Sequence, residues 1–246
     1  MIKFYCGDIH TKIKDIESNT IDLIYTSPPF GITSNSWDKP LDWKTLFKEM
    51  WRVLKPTGII ILYASCPFSY DLIKFETPKY NYSWIKNNST GFFQAKYQPL
   101  RRVEDIFVYY KKRGTYNPQM EGDLFTPTEY RKQNEYYGER NNIDKSHFSK
   151  TEGHIGKYPT TFRNWNVRNK KHNAGKNSGV TRTDEQIDYF IKTYSNEGDT
   201  VLDMTACNNF VADRCFKLNR NYIGIDIEFR EGSIEEYNKI YSSPLL

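Results

Sequence analysis

Apolar positions along the chain follow two periods. Ile21-Asp22-Leu23-Ile24-Tyr25-Thr26 is a short, β-branched apolar run that predicts a strand. It stops at Ser27-Pro28-Pro29-Phe30-Gly31, a strong breaker. Leu46, Phe47, Met50, Trp51, Val53 and Leu54 recur at helical spacing, up to Lys55-Pro56-Thr57-Gly58. The segment from Gly58 to Ala64 is almost continuously apolar, as in a strand covered on both faces of a sheet. Residues 70–75 predict a further helix, and Tyr82–Lys86 and Ile106–Tyr110 predict strands. Thr183, with Gln186 three residues on, fits a capping box that opens a helix over Asp184–Tyr194. A strand at Thr200–Asp203, a helix at about Val211–Leu218 and a strand at Tyr222–Ile227 then form a βαβ unit of a parallel sheet.

Between about Lys112 and Gly179 the period is lost, and Tyr, Asn, Lys and Gly alternate. A structureless loop of that length is uncommon in a compact domain, so the stretch reads as an insertion. Charge sharpens this division. Residues 112–176 hold 13 basic and 7 acidic residues, a net of +6, against 22 and 23 elsewhere, a net of −1. A segment that concentrates the chain's +5 in this way suits a phosphate backbone. The chain accordingly divides into residues 1–111, the insertion 112–176 and residues 177–246, the outer two making one domain.

No stretch approaches the roughly 18 consecutive apolar residues of a membrane span, and the first eight residues carry no signal-like run. A soluble cytoplasmic protein is the expectation. Cys6, Cys66, Cys207 and Cys215 form no CxxC pair and lie at no zinc-ligand spacing, so no metal is expected.

Two places can carry chemistry. The first is Thr26-Ser27-Pro28-Pro29-Phe30, at the C-terminal end of a strand, where open α/β sheets place their active sites. The two prolines stiffen the backbone, so the Ser27 hydroxyl and a backbone carbonyl become acceptors at fixed positions beside an aromatic ring. That arrangement suits a planar base bearing an amino group. The second place is the turn after Asp203, together with Asp226. A strand, a turn into a helix and a later strand ending in an acid is an adenosine-binding layout, with Asp226 accepting the ribose hydroxyls. The turn itself, Met204 to Phe210, lacks glycine, and Asn208 and Asn209 are the residues expected to supply positive φ.

These blocks, in this order, resemble the amino-methyltransferases of DNA in the permuted arrangement called class β. Cys6-Gly7-Asp8 resembles the family's Gly-Asp, and Asp22 to Phe30 its catalytic motif. Trp51 to Gly58, Trp84-Ile85-Lys86, Arg102 and Glu104-Asp105-Ile106 resemble later blocks. Glu197 to Asp203 and Asn219 to Asp226 resemble the segments around the cofactor. The resemblance implies an α/β, Rossmann-like methyltransferase fold. Its sheet would be mostly parallel and twisted, with helices on both faces and an inserted target-recognition region.

The resemblance further implies S-adenosylmethionine as cofactor and methyl transfer to an exocyclic amino group in double-stranded DNA. Ser27, Pro28, Pro29 and Phe30 would be catalytic. Asp8, Thr26, Asp203, Thr205, Cys207, Asn209, Asp226 and Arg182 would serve the cofactor, with Asp8 at its adenine. Arg101, Arg102, Arg113, Lys170 and Lys171 are the DNA-binding candidates. Ser27 with Phe30 resembles the cytosine-N4 members, which favours that base; adenine-N6 transfer is the alternative. The chain departs from the family's Asp-Pro-Phe and Gly-x-Gly, having Asp203-Met204-Thr205 and no glycine, and Arg182 stands where a lysine is usual. An inactive DNA-binding relative is therefore a second alternative. A cognate restriction endonuclease and a homodimer are further partners that the resemblance leaves open.

Overall fold

The computed structural model describes residues 1–121, 158–166, 182–207 and 210–229. It forms two compact units, Met1–Asn117 with Thr161–Leu246, and Pro118–Thr160. The first unit carries an eight-stranded sheet. Its strands are β1 (Ile2–Cys6), β2 (Ile21–Thr26), β3 (Leu54–Ala64), β4 (Tyr80–Thr90), β5 (Arg101–Tyr109), β6 (Phe162–Trp165), β7 (Thr200–Asp203) and β8 (Asn221–Asp226). Their order across the sheet is β1-β8-β7-β2-β3-β5-β4-β6. The first five are mutually parallel, β5 is antiparallel to both β3 and β4, and β6 is parallel to β4.

Helices α1 (Ile9–Lys12), α2 (Trp43–Val53) and α3 (Phe68–Phe75) cover one face, and α4 (Asp184–Tyr194) and α5 (Phe210–Lys217) the other. The alternation of strand side chains explains both layers. Ile24, Ile60 and Leu62 pack with Leu46, Phe47 and Met50 of α2, while Leu23, Tyr25, Ile61 and Tyr63 pack with Ile187, Phe190 and Ile191 of α4. The continuous apolar run of β3 is thus explained by cover on both sides. Helix α2 begins where Asp42 accepts from the Thr45 amide, and α4 where Thr183 accepts from the Gln186 amide.

The expected helix over Asp184–Tyr194 and strand over Thr200–Asp203 form with those bounds. Two strands have no counterpart in the sequence reading. Strand β1 is a short edge strand on β8, and β6, inside the stretch read as insertion, extends the main sheet by pairing Ser83 with Phe162 and Lys86 with Trp165. Among the described residues no helix is long and apolar enough to cross a membrane.

Chain order reverses between β2 and β7. From β2 the chain crosses through α2 to β3 on one side, and from β7 through α5 to β8 on the other. The C-terminal ends of these parallel strands therefore open a crevice, the usual ligand position in such sheets.

Candidate active site

A cavity of about 430 Å³ occupies that crevice. Ser27, Pro28, Pro29 and Phe30 line it from the end of β2, and Asp203, Thr205 and Cys207 from the end of β7. The two strand ends are tied directly, because the buried Thr26 Oγ1 and Thr205 Oγ1 lie 3.0 Å apart and share a hydrogen bond. Ser27 and Phe30 are half-buried and Pro28 is buried. The Phe30 ring stacks on Phe68 of α3, with centroids 5.4 Å apart and an interplanar angle of 22°.

Asp38 holds the loop that follows. Its buried carboxylate accepts from the amides of Gly31 (2.7 Å), Ile32 (3.0 Å) and Thr33 (2.7 Å). Burial pushes its pKa up. The hydrogen bonds from the Thr33 hydroxyl and the Gly31, Thr33 and Ile32 amides outweigh that and hold it below the ordinary carboxylate value. Sequence reasoning did not find this residue. Its signal was a lone acid in a polar segment, seven residues after a positive-φ glycine (Gly31, φ 67°).

The antiparallel strand β5 and its neighbour β4 add a buried ionic cluster to the same cavity. Lys86 Nζ donates to Glu104 Oε1 (2.8 Å), and Arg182 Nη2 donates to Glu104 Oε2 (3.1 Å) and to Ser27 Oγ (2.7 Å). The Arg182 guanidinium also lies over the rings of Tyr63 (4.3 Å) and Trp84 (5.2 Å). A carboxylate shared by two cations compensates the desolvation of all three groups, where a lone buried charge would be very costly. Lys86 and Glu104 were read from sequence only as parts of strands, and nothing local to either marks them as partners. Arg182 was assigned to the cofactor; in the structure it contacts Ser27 and Glu104.

Asp203 is buried in the wall, and its carboxylate accepts from the Thr205 amide at 3.1 Å. Burial raises its pKa, the Thr205 hydrogen bond lowers it and the nearby Asp226 raises it, with a net result of about 7. A carboxylate so placed favours a cationic ligand, because ionisation against burial needs a compensating charge. The ammonium and sulfonium of S-adenosylmethionine would supply such charge, so this carboxylate fits the cofactor.

The turn after Asp203 does keep a left-handed residue. It is Cys207, at φ 45°. The expectation placed this conformation at Asn208 and Asn209, which lie outside the described residues. Asp226 Oδ2 accepts from the Cys207 amide (2.8 Å) and Oδ1 from the Glu228 amide (3.2 Å), so this acid shapes the turn and stands outside the cavity wall. Asp8 also stands outside it. Its exposed carboxylate accepts from the His10 amide and caps α1.

Of the DNA-binding candidates, Arg101 lines the cavity and donates to the Cys66 carbonyl (3.3 Å), and Arg102 donates to the Lys86 carbonyl (3.0 Å). Arg113 lies elsewhere. Because β5 runs antiparallel to β3, it leaves the cavity at Asp105, beside Ala64, and reaches Tyr109 beside Ile60. Arg113 therefore sits at the opposite ends of the parallel strands, next to Gly114, which packs on Thr57. Lys170 and Lys171, like Asn209, lie outside the described residues. Among the described residues no group of His, Cys, Asp and Glu is arranged to hold a metal.

The fold is the Rossmann-like one of S-adenosylmethionine-dependent methyltransferases. The structure is similar to that of M1.HpyAVI in complex with SAM (TM-score 0.57, 18% identity, covering 98% of this chain and 100% of that one). It is also similar to the cytosine-N4-specific PvuII DNA methyltransferase (TM-score 0.64, 13% identity, covering 98% and 91%). At such identities these likenesses establish the fold.

The family follows from sequence. The DNA methylase model for N6/N4 methyltransferases matches residues 21–235, and the chain belongs to that family of SAM-dependent DNA amino-methyltransferases. Curated relatives include the type II methyltransferases M.HpaI of Haemophilus parainfluenzae (27% identical, covering 92% of this chain and 70% of that protein) and M.BglII of Bacillus subtilis (26%, covering 92% and 65%). A third, M.BamHI of Bacillus amyloliquefaciens, is 26% identical, and this chain spans 54% of its length.

Proposed function

We propose that this chain methylates the N4 amino group of cytosine in duplex DNA, with Ser27 as the acceptor that orients the reacting nitrogen. The observation that carries this reading is the Ser27 hydroxyl in one cavity with the buried Asp203, joined through the Thr26–Thr205 hydrogen bond. S-adenosylmethionine supplies the electrophilic methyl group. Asp203 would balance its positive charge, and the turn at Cys207 that Asp226 holds would help to hold it.

The lone pair of an exocyclic amino nitrogen is delocalised into the base. Acceptors on both N–H bonds, from Ser27 Oγ and the Pro28 carbonyl, favour a pyramidal nitrogen with the lone pair free to attack. Ser27 is an acceptor here and not a proton-abstracting base. A guanidinium 2.7 Å from its oxygen disfavours uptake of a proton, and one lone pair stays available beside the one that Arg182 occupies. The amino proton leaves to water after transfer. Fixing two reactants in line can itself contribute about 7–11 kcal/mol. Phe30 supplies a stacking face for a base brought out of the helix, and such stacking is worth ~1–3 kcal/mol.

Cytosine is favoured over adenine by the ionic cluster as well as by the serine. Lys86, Glu104 and Arg182 all line the cavity and sum to one positive charge. Beside its amino group cytosine presents two acceptors, N3 and O2, whereas adenine presents N1 and then a C–H. This cluster, net cationic and in contact with Ser27 through Arg182, complements the former edge. The reading is tested by incubating plasmid DNA with the chain and labelled S-adenosylmethionine, then resolving the nucleosides. N4-methylcytosine is expected, and N6-methyladenine would transfer the reading to the other base. A cognate endonuclease and a homodimer belong to the same proposal; protection of the treated plasmid from cleavage, and sedimentation of the chain, test them.

A further inference from the structure

Strands β4 and β5 are joined by a ten-residue loop, Gly91 to Leu100, that springs from the rim of the cavity. Thr90 and Arg101, the residues on either side of it, both line the cavity and pair with each other. Three large aromatic side chains stand on this loop in solvent: Phe92 (67% exposed), Phe93 (fully exposed) and Tyr97 (89%). Single exposed apolar residues are commonplace, but three rings within six positions form a patch that needs an occupant.

The loop backbone is nevertheless well held. Gly91 takes φ 91°, a 3₁₀ turn follows over Phe92–Gln94, and the amides of Gln94, Ala95, Tyr97 and Gln98 bond to carbonyls of Gly91, Phe92, Gln94 and Gln94. The rings are thus carried on a self-bonded knob without being packed into the protein.

Charge identifies the occupant. From Gly91 to Val103 the chain carries Lys96, Arg101 and Arg102 and no acid. Lys96 and Arg102 are exposed, and Arg101 and Arg102 are anchored to backbone carbonyls through one nitrogen each. Cations interleaved with bare aromatic rings complement a polyanion that offers flat apolar faces, which is a nucleic acid.

We infer that the Phe92–Tyr97 loop enters the DNA at the target site. Phe93 occupies the gap in the base stack left by the extruded base, and Lys96, Arg101 and Arg102 neutralise the flanking phosphates. This rests on the reading that the cavity receives an extruded base. Extrusion costs a few kcal/mol of pairing and stacking, and a ring inserted in the vacated position offsets part of it. The loop's contribution is therefore specific to substrates in which the base must be pulled from a partner.

The test compares the full chain with Phe93→Ala on the target sequence, located by methylation-aware sequencing of the treated plasmid. The variant should lower kcat/KM on the duplex by roughly 10–100-fold while methylating a single-stranded oligonucleotide, or a duplex mispaired at the target, at close to the unsubstituted rate. Equal loss on all substrates, or no loss on the duplex, overturns the inference. A second readout does not need turnover: the added fluorescence of Phe93→Trp should be quenched by duplex plasmid DNA. Quenching without any methyl transfer would discredit the catalytic reading and keep the loop assignment. Transfer without quenching, and with Phe93→Ala unimpaired on the duplex, would do the reverse. If Phe93→Ala instead dissolves a homodimer and leaves DNA methylation unchanged, the patch is a subunit contact and the inference fails.

Discussion

Arg182 Nη2 donates a 2.7 Å hydrogen bond to Ser27 Oγ across 155 positions of sequence. The contact joins the start of α4 to the loop after β2, and Glu104 fixes it from β5. Arg182 also lies over the rings of Tyr63 and Trp84. Arg182→Lys keeps a charge but loses the planar guanidinium that lies over both rings and whose Nη2 reaches both oxygens. It should lower kcat by about 10-fold or more, in the range of one lost charge-assisted hydrogen bond, with cofactor affinity nearly unchanged. Calorimetry and single-turnover assays separate the two effects; parallel loss of both would reassign Arg182 to the cofactor.

On the proposed role of Asp203, cofactor binding should depend on pH. Its carboxyl titrates near pH 7 in the free protein, and a cationic ligand binds the ionised form better. Affinity should therefore rise with pH, by up to tenfold per unit below about 7, and level off above it. For stability the sign is opposite. A carboxyl whose folded pKa lies above its unfolded value of 3.8 costs stability progressively as pH rises from there to about 7. Asp203→Asn should flatten the binding profile, weaken affinity, and yield a cofactor-free protein that melts higher than the original at pH 8. Calorimetry and thermal melts between pH 6 and 8 check both signs.

Cys207 holds a left-handed conformation in a turn where the sequence has no glycine. An L-residue there costs roughly 1–2 kcal/mol, and the greater unfolded-state entropy of glycine offsets part of any gain. Cys207→Gly should therefore stabilise the protein by about 0.5–1 kcal/mol, read as a higher denaturation midpoint, without loss of cofactor affinity. A lower midpoint would mean that the Cys207 side chain contributes more than the backbone conformation costs.

Asp38 ties three consecutive amides after the Pro-Pro loop. Its depressed pKa means that its stabilising effect is present above the ordinary carboxylate value and is lost as pH falls through the lower folded one. Asp38→Ala leaves those donors without their acceptor and should destabilise the fold by about 1–3 kcal/mol. It should lower kcat more than cofactor affinity, because the loop it holds carries Phe30 and not Asp203. Activity assays beside calorimetry read this split.

Much of the frame was legible along the chain because its signals are local. The breaker Ser27-Pro28-Pro29 ends a β-branched run, and Thr183 with Gln186 marks the start of α4; both depend on neighbours within a few residues. What escaped depends on distant partners. Strand β6 is four residues long and exists because β4 offers an edge to pair with. Lys86 and Glu104 lie 18 positions apart on adjacent strands, and only antiparallel pairing brings them together. Arg113 looked equivalent to Arg101 and Arg102 by charge, yet the direction of β5 carries it to the far ends of the strands. Asp38 carried no period or motif, and its role follows from a loop curling back on itself.

Single-turnover methyl transfer by the unsubstituted chain and by Ser27→Ala, each saturated with S-adenosylmethionine and mixed with the same DNA, tests the central claim most directly. The account predicts N4-methylcytosine from the first protein, formation slowed by about 100-fold in the second, in the range seen when one oriented polar partner of the transition state is removed, and equal cofactor binding by both. Equal rates in the two proteins would contradict it.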